Sequence, residues 1–538
     1  MPMATPAPSP HQAPLSEAGR SGRGAGSGER AWLLLAIGLP VLLAAGLTAY
    51  RLSTRSLWLD EGASIAIASQ HGSHLWRAIR HDGGNMLIYY LLLHVLVDWF
   101  GNAVAVVRAP SVVADALTAG LTALLAWRLV GRRWVALSAG LLCALSMPLV
   151  FWGQDARGYA LMVTLATGAL LAFTVIVQSD GPAPRGAVIA YVALSLLSMY
   201  VSFYAGLIIL AELALLPLFR RRARLIIACL GLVAVGCIPL AILAVERGPG
   251  QLFWVNPVTP AIAAKAGAVL ISSGFPPNFH ITSTTIVASA VTLALALVSG
   301  ARLVVRRVRS HRLAWRGEPV STSAWIAASW LLVPIVVMLA AAVAGEPVEL
   351  ARCVILLIPV VGLLLAWGLD LPGRARFLGF AAILLLLVMR ALVLIPTYRV
   401  TPENWSAAVA HVARASRPGD CVLFYPQDGR MLFDYYRTEA PAVERLRPVL
   451  PVAPWSVTRP YVEEYALPSA GRLERIEHSC PRLWVVASHE GHRPGPLASE
   501  RDLQRYDALL RVLHRSYRRR QHRTFGYAAP IFVTRFSR

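Results

Sequence analysis

The chain has 538 residues, 56% of them hydrophobic and 15% charged, with a mean hydropathy of +0.56. That excludes a soluble globular protein, because apolar runs near the roughly 20 residues that span a bilayer recur along the sequence. A formal net charge of +22 invites a nucleic-acid reading, but the basic residues fall in short clusters between apolar runs, the pattern of cytoplasmic loops and anionic lipid surfaces, so no nucleic-acid partner is expected. Lys265 is the lone lysine, a usage consistent with a GC-rich, actinobacterial source.

Residues 1–30 are rich in Pro, Gly, Ser and Ala and read as a disordered cytoplasmic tail. The run 31–50 starts too late for a secretory signal and reads as a retained first span. Further spans are expected near 109–129, 134–151, 160–178, 187–203, 204–219, 225–245, 285–304, 324–344, 353–369 and 377–395. With these, the Arg clusters 128–133, 220–224, 302–316 and 373–376 fall on one side with the N-terminal tail, which is therefore cytoplasmic. The segment 86–100, "MLIYYLLLHVLVDWF", holds His94 and Asp98 and is too short to count. It reads as a helix in the outer interface, with Tyr89 and Tyr90 as headgroup anchors, so that 51–108 forms one long outer loop.

Residues 396–538 carry more charge and shorter apolar runs. The strand signals 420–426 and 482–488, an amphipathic helix at 499–517 and a closing strand in "YAAPIFVTRF" predict a small extracytoplasmic α/β domain. It holds Cys421 and Cys480, for which a disulfide and two buried thiols are equally open readings. The other four cysteines lie in apolar spans and read as packing residues. The fold class is thus an α-helical polytopic protein of the cell membrane with about 11 transmembrane helices in 31–395 and an outer α/β domain.

Two outer elements carry chemistry. "SLWLDEG" places Asp60 and Glu61 just beyond the first span, and "FWGQDARGYAL" places Asp155, Arg157 and Tyr159 beyond the third. A carboxylate there can act as a general base or metal ligand, and an arginine suits bidentate phosphate contact. Together they fit a reaction on a lipid phosphate. Weaker candidates are His81 in "HDGGN", Arg352 with Glu346 and Glu349 as rim or partners, Trp254 as a groove residue, and Glu212 inside an apolar span.

The blocks "LWLDEG" (57–62), "YYLLLHVLVDWFGNAVAVVRAPS" (89–111), "FWGQDARGYAL" (151–161) and "ELARCVILLIPVVGLLLAWGL" (349–369) resemble, in order and spacing, the GT-C glycosyltransferases, in particular the family 39, protein-O-mannosyltransferase-like branch. The resemblance is good over about 31–220 and around 349–369. It implies a GT-C fold, a polyprenyl-phosphate-linked monosaccharide donor (mannose or arabinose type), an outer-leaflet site and inversion at the anomeric carbon. The acceptor class, whether protein, glycan or glycolipid, stays open.

By the same resemblance Asp60, Glu61 and Asp155 are the catalytic candidates, with Asp60 and Asp155 alternatively holding a divalent metal. Arg157, Arg352 and His81 are candidate contacts to the donor phosphate, and no nucleotide cofactor is implied. Some relatives have Lys-Pro-Pro where this chain has "NML" (85–87), so the neutral Asn85 shifts phosphate neutralisation to arginines, a metal or His81. The competing classes are a transporter or flippase of a lipid-linked sugar and a non-catalytic scaffold.

Overall fold

Long apolar runs can satisfy their backbone in a bilayer only as helices, and helices dominate the chain. The computed structural model describes residues 27–248, 255, 258–272, 282–313, 320–346, 348, 350–438, 445–454, 456, 466–488, 500–527 and 529–538. Trp254, Glu349 and residues 1–26 of the expected tail lie outside these. The first half contains α1 (Ser27–Ala49), α2 (Leu59–Ala68), α3 (Gly72–His81), α4 (Leu87–Phe100), α5 (Val104–Val130), α6 (Arg133–Ala144), α7 (Met147–Gly153) and α8 (Tyr159–Val177).

Among the described residues seven helices are long and apolar enough to cross a membrane, and two further pairs qualify if each is one bent span. One pair is α6 with α7, bent by 58°, and the other is Arg220–Gly236 with Ile238–Arg247, bent by 45°. Each break is followed at once by a proline, Pro148 or Pro239, which fits at a helix start where no backbone donor is missed. The expected spans 187–203 and 204–219 fall on shorter apolar helices, Arg185–Val201 and Phe203–Leu213. The chain is thus a membrane-embedded, multi-pass helical protein.

α4 has 14 residues, or about 21 Å of helix, too little to cross. It follows a tight turn in which Gly83, Gly84 and Met86 all have positive φ. Tyr89 and Tyr90, expected as interfacial anchors, are instead buried at 0% and 1% exposure. They lie on the inward face of α4, while Trp99 and Phe100 near its end stay exposed. The Leu350–Gly368 helix is the most enclosed of the spans, 89% buried against 22% for α1. Arg352 therefore projects from a fixed central strut.

Beyond the last span, Arg376–Thr397, the chain forms a five-stranded sheet. Its strands are β1 (Cys421–Tyr425), β2 (Arg447–Leu450), β3 (Arg482–Ser488), β4 (Arg518–Phe525) and β5 (Ile531–Ser537), in the order β2-β1-β3-β5-β4. β1 pairs in parallel with β2 and β3, and β5 runs antiparallel to β3 and β4. Alternation of side chains splits β1 between two apolar clusters. Val422 and Phe424 join the core shared with the membrane helices, and Cys421, Leu423 and Tyr425 join a second core on the opposite face. β4, "RRRQHRTF", lacks an apolar alternation, and β2, "RPVL", has only four residues, so neither is visible in the sequence.

Cys421 and Cys480 are joined in a disulfide that closes a 59-residue separation around β2. The double substitution Cys421→Ser/Cys480→Ser should cost about 2–4 kcal/mol. Denaturant unfolding of the C-terminal sheet domain in detergent-solubilised protein, with and without reductant, measures it. Reductant should reproduce the loss in wild type and leave the variant unchanged.

Candidate active site

α2 begins where three acceptors meet its free backbone donors. Glu61, in the first turn, accepts from Trp58 N (3.3 Å), and Glu403 from the C-terminal domain accepts from Leu59 N (3.1 Å). Tyr436 Oη accepts from Leu57 N (2.7 Å) just ahead. Leu432 and Met431 pack so closely on Gly62 that a Cβ there would lie 2.8–2.9 Å from them. The C-terminal sheet domain therefore sets where α2 lies.

Glu61 and Arg108 form a wholly buried bidentate pair, Nε to Oε1 and Nη2 to Oε2, both at 2.7 Å. Arg108 also donates to the carbonyls of Leu52, Arg55 and Ser56, while Ala156 N donates to Glu61 Oε1 (2.9 Å). Burial acts to raise the Glu61 carboxyl, but the Arg108 guanidinium outweighs it and holds the group below the usual carboxylate range. The sequence set Asp60 and Glu61 side by side as catalytic candidates. The structure separates them, because all of the Glu61 carboxylate is committed to positioning.

Asp155 lies behind, with Oδ1 accepting from Trp58 Nε1 (2.7 Å). Its Oδ2 is buried with no hydrogen-bond partner among the described residues. Burial, and then the negative charge of Glu61, push this carboxyl well above its ordinary range, which favours the protonated form. Arg55 nearby donates to Gln154 O (2.8 Å) and lies over the Phe151 ring. Burial and the Arg108 charge lower it to about 10.

Asp60 points the other way, toward a partly open space, with its side chain 30% exposed. Its Oδ2 stands 3.3 Å from Arg352 Nη2 and 3.7 Å from Arg157 Nη2. Arg352 donates to Tyr159 Oη (2.7 Å) and its guanidinium lies 5.4 Å from that ring. Arg157 reaches Tyr90 Oη (3.3 Å) and Ser64 Oγ (3.4 Å). Tyr90 in turn donates to Asp82 Oδ2 (2.9 Å), and Asp82 Oδ1 stands 3.5 Å from Arg247. Burial raises the Asp82 carboxyl despite the pull of Arg247 and Arg157. The Arg247 stem occupies the space over Gly83 that a side chain would fill.

The structure therefore brings Asp60, Arg157 and Arg352 to one surface, with Glu61 and Asp155 behind it. His81 adjoins this network through Asp82, and burial lowers its ring below the usual histidine range. Glu212 accepts from Tyr191 (2.7 Å) inside the helices, and Glu346 is exposed. Arg108, Arg247, Glu403 and Tyr436 were not singled out in the sequence; Arg108 alone carried a signal, as a charge at the start of an apolar span. Two guanidinium groups face Asp60, Asp155 favours a proton, and no group of three or more His, Cys, Asp or Glu able to hold a metal occurs among the described residues.

Glu61→Gln or Arg108→Met should each destabilise the protein by about 3–5 kcal/mol, with the double variant recovering much of that loss. Thermal unfolding of the solubilised protein measures both. Asp155→Asn keeps an acceptor for Trp58 without the charge. A carboxyl raised in the fold loses native-state stability as pH rises from its unfolded value through its folded one. The advantage of Asp155→Asn over wild type should therefore be small in acid and grow as pH rises above the ordinary carboxylate range.

No protein-family model matches the chain, and no curated protein matches it. Among solved structures, the chain is similar to ArnT from Cupriavidus metallidurans in the apo state, at 15% identity over 94% of this chain and 98% of that one, with a TM-score of 0.43. It is also similar to ArnT from Cupriavidus metallidurans bound to undecaprenyl phosphate, at 14% identity over the same shares, with a TM-score of 0.39.

Proposed function

We propose that this protein is a GT-C-type membrane glycosyltransferase of the family 39-like branch. It moves a monosaccharide, of mannose or arabinose type, from a polyprenyl-phosphate donor to an acceptor outside the cytoplasm. The observation that carries the reading is the pairing of one partly exposed carboxylate, Asp60, with two arginines at 3.3 and 3.7 Å. In the same orientation the N-terminus is cytoplasmic and the sheet domain extracytoplasmic.

An acceptor hydroxyl becomes a competent nucleophile as its proton passes to Asp60. Its oxygen forms the new bond to the anomeric carbon while the bond from that carbon to the phosphate oxygen breaks, and the electron pair leaves with the lipid phosphate. Arg157 and Arg352 offset the charge that grows there. Arg247 and His81 both adjoin the same network at Asp82. A donor phosphate that engages the arginines competes for the guanidinium groups now held by Asp60 and so frees that carboxylate to act as base. A single displacement of this kind inverts the anomeric centre and needs no covalent sugar-enzyme intermediate.

Membranes containing the protein, supplied with radiolabelled polyprenyl-phosphate mannose and in parallel an arabinose donor, test this. Asp60→Asn should lower kcat by about 10²–10⁴-fold. Arg352→Ala should in addition raise the donor KM. Transfer by Asp60→Asn at the wild-type rate would remove Asp60 from the chemistry. Buried Asp115, Glu212 and Arg390 within the helices keep a lipid-linked-sugar transporter as the second reading. That reading wins if labelled donor crosses vesicle membranes and no sugar reaches any acceptor.

A further inference from the structure

The two ends of the outer sheet differ. Strands β1, β3 and β4 all run in one direction. Their C-terminal ends face the contacts with the N-terminal part of the chain and the residues just after the last span. Beyond β1 the Gly429–Arg437 helix packs on α2, and beyond β4 Gly526 bridges to Glu403, six residues after the last span. The opposite end of the sheet lies one strand length away, over the seven-residue pairing of β3 with β5, about 23 Å.

That outer end is lined with arginine. The register sets Arg447 beside Cys421, Arg482 beside Ser537 and Ser537 beside Arg518, so that strand ends across the sheet present basic residues in a row. Arg417, Arg445, Arg447, Arg518, Arg519 and Arg538 are exposed there. From Arg511 to Arg538 the sequence has eight arginines and no acidic residue. Asp420, at the same end, is buried and spent on Arg482 (3.2 Å) and Trp484 (2.9 Å). Glu474 and Glu477 on the Ala470–Ser479 helix offset only part of the charge. The disulfide braces this end, since Arg447 donates to both Cys421 Sγ and Cys480 Sγ and to Ser479.

The geometry points to this outer pole as a docking surface for an acidic glycan chain, a polymer bearing repeated carboxylates or phosphodiesters that extends away from the membrane. Charge complementarity with closely spaced guanidinium groups selects a polyanion. The pole lies at the end of the sheet away from the contacts with Glu403 and α2, which favours a solvent-borne polyanion over the bilayer that holds the spans. Charged residues on β4 also blunt an edge strand, but edge protection does not require arginine at the outer ends of β2 and β5 or in the 417–420 turn.

The full-length protein in zwitterionic-lipid nanodiscs is immobilised and exposed to polygalacturonate, poly(glycerol phosphate), neutral dextran and separate phosphatidylglycerol vesicles. One or both acidic polymers should bind, with affinity falling steeply as salt rises, and dextran should not. Arg518→Gln/Arg519→Gln/Arg538→Gln should weaken that binding at least roughly tenfold, with the melting temperature and the disulfide intact. Arg374→Gln/Arg376→Gln, at the far end of the last span, should not. Failure of both polymers, or binding unchanged in the triple variant, would overturn the inference and leave the arginines to solubility and edge protection. Capture of the vesicles as strong as that of the polymers, through the same three arginines, would overturn it in favour of a lipid surface.

Discussion

The arrangement of the 51–108 segment depends on one buried ion pair. Glu61 and Arg108 have no exposed surface and meet through two hydrogen bonds of 2.7 Å. Two charges removed from water are tolerable only when each is fully satisfied, and here the remaining valences are filled by the backbone of 52–58 and of Ala156. The pair therefore gathers the loop after α1, the start of α2, the head of α5 and the turn before α8. Everything that faces the open side of the site hangs from that junction.

Burial then divides labour among acids that look alike in sequence. Glu61 keeps its charge because a guanidinium sits on it. Asp155, buried with a single indole donor and a negative neighbour, is driven toward its neutral form. Asp60, one residue from Glu61 on the same helical turn, escapes to the partly open side, where Arg157 and Arg352 converge. Successive residues on a helix point about 100° apart, and that rotation alone gives the neighbours different work.

Much of this was legible in the sequence. Runs of apolar residues marked the long spans, and β1 and β3 were visible as continuous buried strands. The blocks around Asp60, Asp155, Arg157 and Arg352 marked residues that the structure brings together or sets one behind the other. What escaped depended on contacts across hundreds of residues. Tyr436 and Glu403 cap the start of α2 from 344 or more positions away, and Arg247 reaches Asp82 over 165. No local pattern encodes such meetings. Tyr89 and Tyr90 misled because an aromatic pair at a membrane boundary has the same local signature whether it faces lipid or a polar network. Pairing with Arg157 and Ser111 settles which.

The capping of α2 by the C-terminal domain bears on how the molecule is made. The loop that holds Asp60 is synthesised early, yet Leu57 N and Leu59 N find their acceptors only when Glu403 and Tyr436 arrive, after every span has been inserted. During translation the first loop waits with unsatisfied donors, exposed outside the bilayer where water can serve them. The site reaches its final shape when the last quarter of the chain has emerged and docked. A truncated or stalled chain would lack the Glu403 and Tyr436 acceptors and so leave the start of α2, which carries Asp60, without its caps.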